Sequence, residues 1–116
     1  MRVFMWFLLW MLYSCSSDLP DVPSGVIPPE KMVKILADIH LADAVAETKA
    51  AQGASVRAVS EELHEWVYRT HGITRSEFEN SLRFYEKTPE WMNKMYEEVQ
   101  VAISKRQNEL QYINSK

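Results

Sequence analysis

From Glu30 to the C-terminus the apolar residues return at intervals of three and four, and this spacing constrains the fold more than any other feature of the chain. Side chains recurring at that period share one face of an α-helix, whereas a half-buried strand would need strict alternation. The same stretch holds only two glycines, Gly53 and Gly72, and neither forms the Asn-Gly or Asp-Gly pair that closes a tight hairpin. The pattern predicts an all-α fold, a small three- or four-helix bundle with no internal repeat.

Four helices are expected. The first runs from about Pro29 to Ala51, with Met32, Ile35, Leu36, Ile39, Ala42 and Ala46 on one face. Proline suits the first helical position because its missing N–H would have no intrahelical partner there, and Glu30 suits the positive end of the helix dipole. The second runs from about Val56 to His71, with Val59, Leu63, Trp66 and Val67 as its apolar stripe and Gly72 as a left-handed C-terminal cap. The third spans about Arg75 to Lys87 behind a Thr74–Glu77 capping box, with Phe78, Leu82 and Tyr85 inward. The fourth runs from about Pro89 to Ile113, with Thr88 as its cap. There Met92, Tyr96, Val99, Ile103, Arg106, Leu110 and Ile113 step by fours and threes, a heptad seam with one charged member. Such a helix is nearly 40 Å long at about 1.5 Å per residue, so its last turns are expected to project beyond the bundle. Short connections favour antiparallel neighbours.

The N-terminus has a different character. Arg2 is followed by an apolar run from Val3 to Leu12, too short to cross a bilayer core, which takes about 20 residues. The run ends at Leu12-Tyr13-Ser14-Cys15, and Cys15 is the only cysteine. An apolar residue three before a cysteine and a small one just before it resemble the bacterial lipobox. That resemblance implies cleavage before Cys15, a diacylglycerol on its sulfur and an acyl chain on the new amine. Each buried methylene contributes about 0.8 kcal/mol, and two or three chains on one residue make attachment effectively permanent. Residues 1–14 are thus read as a lipoprotein signal peptide and residues 15–29 as the lipidated cysteine and a tether. Residues 30–116 form the helical domain. Pro20, Pro23, Pro28 and Pro29, with Ser24 and Gly25, predict an extended tether without regular structure. At about 3.1 Å per residue it would reach on the order of 40 Å.

The formal net charge is −3, and loss of Arg2 with the leader makes the mature chain more acidic. Lys and Arg are scattered rather than clustered, which argues against nucleic acid as a partner. No cofactor is expected, and the leading reading assigns no residue to a metal. The most pointed polar cluster is Asp38-Ile39-His40-Leu41-Ala42-Asp43. His40 and Asp43 stand three apart and share a face, whereas Asp38 lies roughly 160° from His40 and joins them only if another helix intervenes. Asp38, His40 and Asp43 form a candidate partner or ligand face. Helix two carries Glu61 and His64 at the same spacing, so His40, Asp43, Glu61 and His64 compose an alternative metal- or ligand-binding set. Asp43 at the margin of the apolar face needs a partner if it is covered, and Arg106 in the helix-four seam is the candidate for a structural ion pair. The serines lack a nucleophile motif, and Trp66 and Trp91 are read as core.

The run Val26-Ile27-Pro28-Pro29-Glu30-Lys31-Met32, followed by Ile35-Leu36-Ala37-Asp38-Ile39-His40-Leu41-Ala42, resembles the start of the domain of unknown function 4296. His71-Gly72-Ile73-Thr74 with Phe78, and Ser81-Leu82-Arg83-Phe84-Tyr85 followed by Pro89-Glu90, resemble its later signature. The resemblance implies a small Bacteroidetes lipoprotein with a helical domain in a Gram-negative envelope, and it brings no activity, ligand or catalytic residue. The function expected on these grounds is that of a non-enzymatic, lipid-anchored accessory protein of the cell envelope, on the outer membrane facing the periplasm. It would meet the membrane through lipid on Cys15, bind an envelope protein and self-associate, if at all, through helix four. The alternative is a small metal- or ligand-binding lipoprotein.

Overall fold

The computed structural model describes residues 19–116. The expected leader, Cys15 and the first residues of the tether lie outside the described residues. Four helices follow in chain order: α1 Pro29–Ala50, α2 Val56–His71, α3 Arg75–Glu86 and α4 Pro89–Asn114. No strand occurs among the described residues, and the fold is an all-α bundle.

Local chemistry sets the helix ends. Pro29 opens α1 and Pro89 opens α4. Gly72 closes α2 at φ 66°, a left-handed conformation that costs any residue with a Cβ. The Thr74 hydroxyl accepts from the Glu77 N–H at 3.1 Å, and the Glu77 carboxylate accepts from the Thr74 N–H at 2.8 Å, completing the capping box. Thr88 does not cap α4 through its side chain, contrary to expectation; proline at the next position has already removed one of the amides needing a partner.

α1 is the centre of the bundle. It packs against α2 on one side and α4 on the other, while α3 bridges α2 and α4. The five-residue link between α1 and α2 makes them antiparallel. α1 and α4 run in the same sense: Pro29 and Glu30 sit beside Trp91 and Lys94, and Asp38 meets Arg106 further along both helices. Met32, Ile35, Ala46, Val67, Tyr85 and Met95 are nearly or wholly sealed from solvent. Each large apolar side chain buried in this way contributes about 1.5–3 kcal/mol.

Three expectations about burial need correction. In α4 the buried positions are Trp91, Met95 and Val99, stepping by fours, and Tyr96 is exposed. The helix is rotated from the expected seam because it crosses α1 while seating Trp91 against Tyr85, ring centroids 5.8 Å apart. In α2, Trp66 is 55% exposed and Tyr68 takes the core position. Contact with α3 turns the buried face of α2 towards Tyr68, whose ring lies 5.3 Å from that of Phe78. In α3, Ser81 is buried and Leu82 only partly so.

The largest correction concerns the tether. From Leu19 onward it is a strap laid on the bundle, not a free spacer. Ile27 is buried, and Leu19, Val22 and Val26 pack against the core. Both polar groups of Ile27 are held from α3: its N–H donates to Ser81 Oγ at 2.9 Å, and its carbonyl accepts from the Tyr85 hydroxyl at 2.5 Å. Trp91 Nε1 donates to the Pro20 carbonyl at 2.9 Å. The prolines do keep the strap out of helix and sheet. That leaves its backbone groups open to side-chain partners, and a buried backbone group must find one.

Candidate functional site

Asp38 and Asp43 of α1 are occupied by partners from α2 and α4. Asp38 and Asp43 are five residues apart and leave the helix about 140° from one another, on opposite sides of its buried stripe. His64 and His71 are seven residues apart on α2, two turns along one face. Because α2 crosses α1 antiparallel, each histidine meets one aspartate. His71 Nε2 lies 2.7 Å from Asp38 Oδ2, and His64 Nε2 lies 2.7 Å from Asp43 Oδ1.

Asp38 is the tighter node. Its side chain is 17% exposed, as is that of His71, and Arg106 Nη1 donates to its other oxygen at 2.5 Å. One carboxylate thus ties α1, α2 and α4 together. Burial by itself would push the Asp38 carboxyl up. The hydrogen bonds from His71 and Arg106, with the positive charge beside them, outweigh it and hold the group below its ordinary value of 3.8. The Arg106 partner is therefore Asp38, not the expected Asp43. In the parallel pairing of α1 and α4, Arg106 lies level with Asp38, and Asp43 faces the other flank, towards His64 and Ser60.

Around Asp43 three side chains of catalytic type come together: the Ser60 hydroxyl donates to Asp43 Oδ1 at 3.0 Å and lies 3.3 Å from His64 Nε2. The geometry is not that of a nucleophilic relay. A relay needs the carboxylate on one imidazole nitrogen and the hydroxyl on the other. Here both meet Nε2, and the serine hydroxyl donates its hydrogen bond to the carboxylate, so the cluster is a closed hydrogen-bonded ring.

His40 is exposed, and the residue that faces His64 is Asp43. The expected joint face of Asp38, His40 and Asp43 is thereby divided: two members are engaged between helices and one looks outward. Glu61 pairs on the surface with Arg57 at 3.2 Å rather than with the histidines. Among the described residues no group of three or more His, Cys, Asp or Glu side chains stands close enough to hold a metal ion.

Beside the Asp38 node an apolar groove of about 390 Å³ opens between α1 and α2, lined by Leu41, Val45, Leu63 and Trp66 and bounded by Arg106. Beyond Arg106 the remaining turns of α4 are exposed. Leu110 and Ile113, four and seven residues past Arg106, continue the buried seam into solvent, and Val101 and Tyr112 add a second apolar strip.

Sequence reasoning missed His71 and Ser81. By sequence His71 is the last residue of the second helix, and Ser81 is one of several serines without a nucleophile motif. A usable signal did exist for the first: a seven-residue step between histidines on α2 and a five-residue step between aspartates on α1 suit two crossing antiparallel helices. Ser81 carries no comparable signal, since its partner lies 54 residues away in a segment without periodicity.

The fold and these contacts define a small helical domain cross-tied by paired polar side chains, with unpartnered apolar surface at one end. The model of the family described as "Domain of unknown function (DUF4296)" matches residues 23–109, and the chain belongs to that family. The matched span takes in Ile27 of the strap, both Asp–His pairs and Arg106, and it stops just short of Leu110. No curated protein and no solved structure matches the chain.

Proposed function

We propose that this protein is a lipid-anchored, non-catalytic accessory protein of the cell envelope, held by acyl chains on Cys15 and facing the periplasm from the outer membrane. It binds another envelope protein through the apolar surface at the end of α4 and the adjoining groove beside Trp66. The observation that carries the reading is the exposed continuation of the α4 seam at Leu110 and Ile113, with Val101, Tyr112, Trp66 and Val45 also open to solvent. Apolar surface gathered at one end of a small domain is the kind of patch that a partner covers. Support also comes from the use of the polar residues: His64, His71, Asp38 and Asp43 are spent on joining helices. The lipobox-like run ending at Cys15 supports the anchor, and no helix of the described residues is long and apolar enough to cross a membrane.

The test places a photo-crosslinking residue at Leu110 or Trp66 in the protein expressed in its own membranes, with Glu62 on the exposed face of α2 as control. A discrete protein adduct from Leu110 or Trp66, absent from Glu62, is the expected result. Loss of the protein from the membrane fraction on Cys15→Ser is expected as well. Absence of any position-specific adduct, or a Cys15→Ser protein that stays on the membrane, overturns the reading.

A further inference from the structure

We infer that the bundle is held with its strap end against the bilayer surface and its apolar α4 terminus pointing away, the membrane being the occupant of the strap end. This inference rests on the acyl anchor at Cys15 and adds to it an orientation and a distance. The sequence pattern by itself suggests a tether of on the order of 40 Å and a domain free to take any attitude.

Docking of the strap removes most of that length. The Pro20 carbonyl is fixed to Trp91, and Leu19 already packs on the core. Only five peptide steps separate Cys15 from Pro20. Whatever conformation they adopt, they span at most about 18 Å, since an extended chain advances no more than about 3.6 Å per residue. Acyl chains on Cys15 put that residue at the membrane interface, so the Pro20–Trp91 contact lies within that distance of it.

The direction of the helices supplies the orientation. α1 and α4 both begin at the strap end and run in the same sense. At about 1.5 Å per residue the 22 residues of α1 rise about 33 Å from that end, and the 26 of α4 about 39 Å. The short leash pins the strap end near the bilayer and leaves the far ends of both helices to stand away from it. The loop at Gly53 and the apolar side chains Leu110 and Ile113 lie at the opposite end of the bundle from the leash.

The experiment exploits the single cysteine, because an acylated Cys15 leaves introduced thiols as the only reactive ones. Full-length protein bearing Lys94→Cys, Gln52→Cys or Gln111→Cys is processed in cells, labelled with a fluorophore and reconstituted into vesicles of phosphatidylethanolamine and phosphatidylglycerol carrying a headgroup quencher. All three positions are exposed; Lys94 lies 5.7 Å from the Trp91 ring, Gln52 lies in the loop at the far end of α1, and Gln111 lies near the end of α4. Quenching several-fold stronger at position 94 than at 52 and 111 is expected. A flexible Gly-Ser insertion after Ser17 should abolish the difference. Equal or reversed quenching in a protein whose mass shows acylated Cys15 overturns the orientation while leaving the anchor intact. A bare thiol by mass spectrometry overturns both, so the two failures are told apart.

Discussion

Replacing Tyr85 by Phe isolates one atom on which the strap's attachment depends. The ring stays, with its edge contacts to Phe84 at 5.2 Å and Trp91 at 5.8 Å, and only the hydroxyl is lost. That hydroxyl is the donor to the Ile27 carbonyl, in a region where Tyr85 and Ser81 are fully buried and Ile27 nearly so. A buried acceptor deprived of its donor costs about 1–3 kcal/mol, more than the net value of the bond, because the carbonyl gave up water on folding. For a domain of this size each kcal/mol corresponds to about 4–8 °C in Tm, so a fall of roughly 4–24 °C is expected. The assay is urea and thermal unfolding of the purified protein followed by circular dichroism, with an unchanged m-value showing that the same surface is exposed. Ser81→Ala orphans the other backbone polar group of the same residue, the Ile27 N–H, and should cost a similar amount. The two losses should be non-additive, since they release one segment. If the strap were a loose tether, Tyr85→Phe would stay within about 0.5 kcal/mol of the parent, the usual range for a surface change; that outcome refutes the reasoning.

At the Asp38 node, the carboxyl is held below 3.8 in the folded state, so its contribution is complete above that pH and is lost as pH falls through the lowered folded value. Asp38→Asn should therefore be less stable than the parent at neutral pH and show a flatter decline in acid; a variant that keeps the parental acid slope contradicts this. Gly72→Ala meets no atom within 4 Å of the added Cβ, and the left-handed φ of 66° alone should cost about 1 kcal/mol by denaturant titration; a neutral result would mean that the cap relaxes. Leu110→Lys combined with Ile113→Lys should leave monomer stability within about 0.5 kcal/mol, because both side chains are exposed. Sedimentation before and after that change decides self-association through α4, and an unaltered monomer removes it.

Much of the architecture is legible in the sequence alone. Spacing at threes and fours, the proline at each long helix's start, the Thr74–Glu77 box and Gly72 all act within a few residues, and local steric and hydrogen-bonding rules suffice to place four helices. Rotation of each helix about its axis was less legible. Val99 is distinguishable from Leu110 and Ile113, its partners in the expected seam, only once α1 covers one half of α4 and not the other, and the same contact brings Met95 into the core.

The polar site divides in the same way. Asp38, Asp43 and His64 stood out by type and spacing, but their partners were settled by the crossing of α1 with α2 and by the parallel run of α4. Arg106 was free, on sequence grounds, to pair with either aspartate. Nor does any local rule reveal that Ile27, in a proline-rich stretch, is core. Its burial depends on Ser81 and Tyr85, more than 50 residues away. Sequence periodicity determines which backbone conformation each segment takes, because that choice is made over a single turn. Which faces meet, and hence which charges pair and which apolar groups are left in water, is decided only when the whole chain packs.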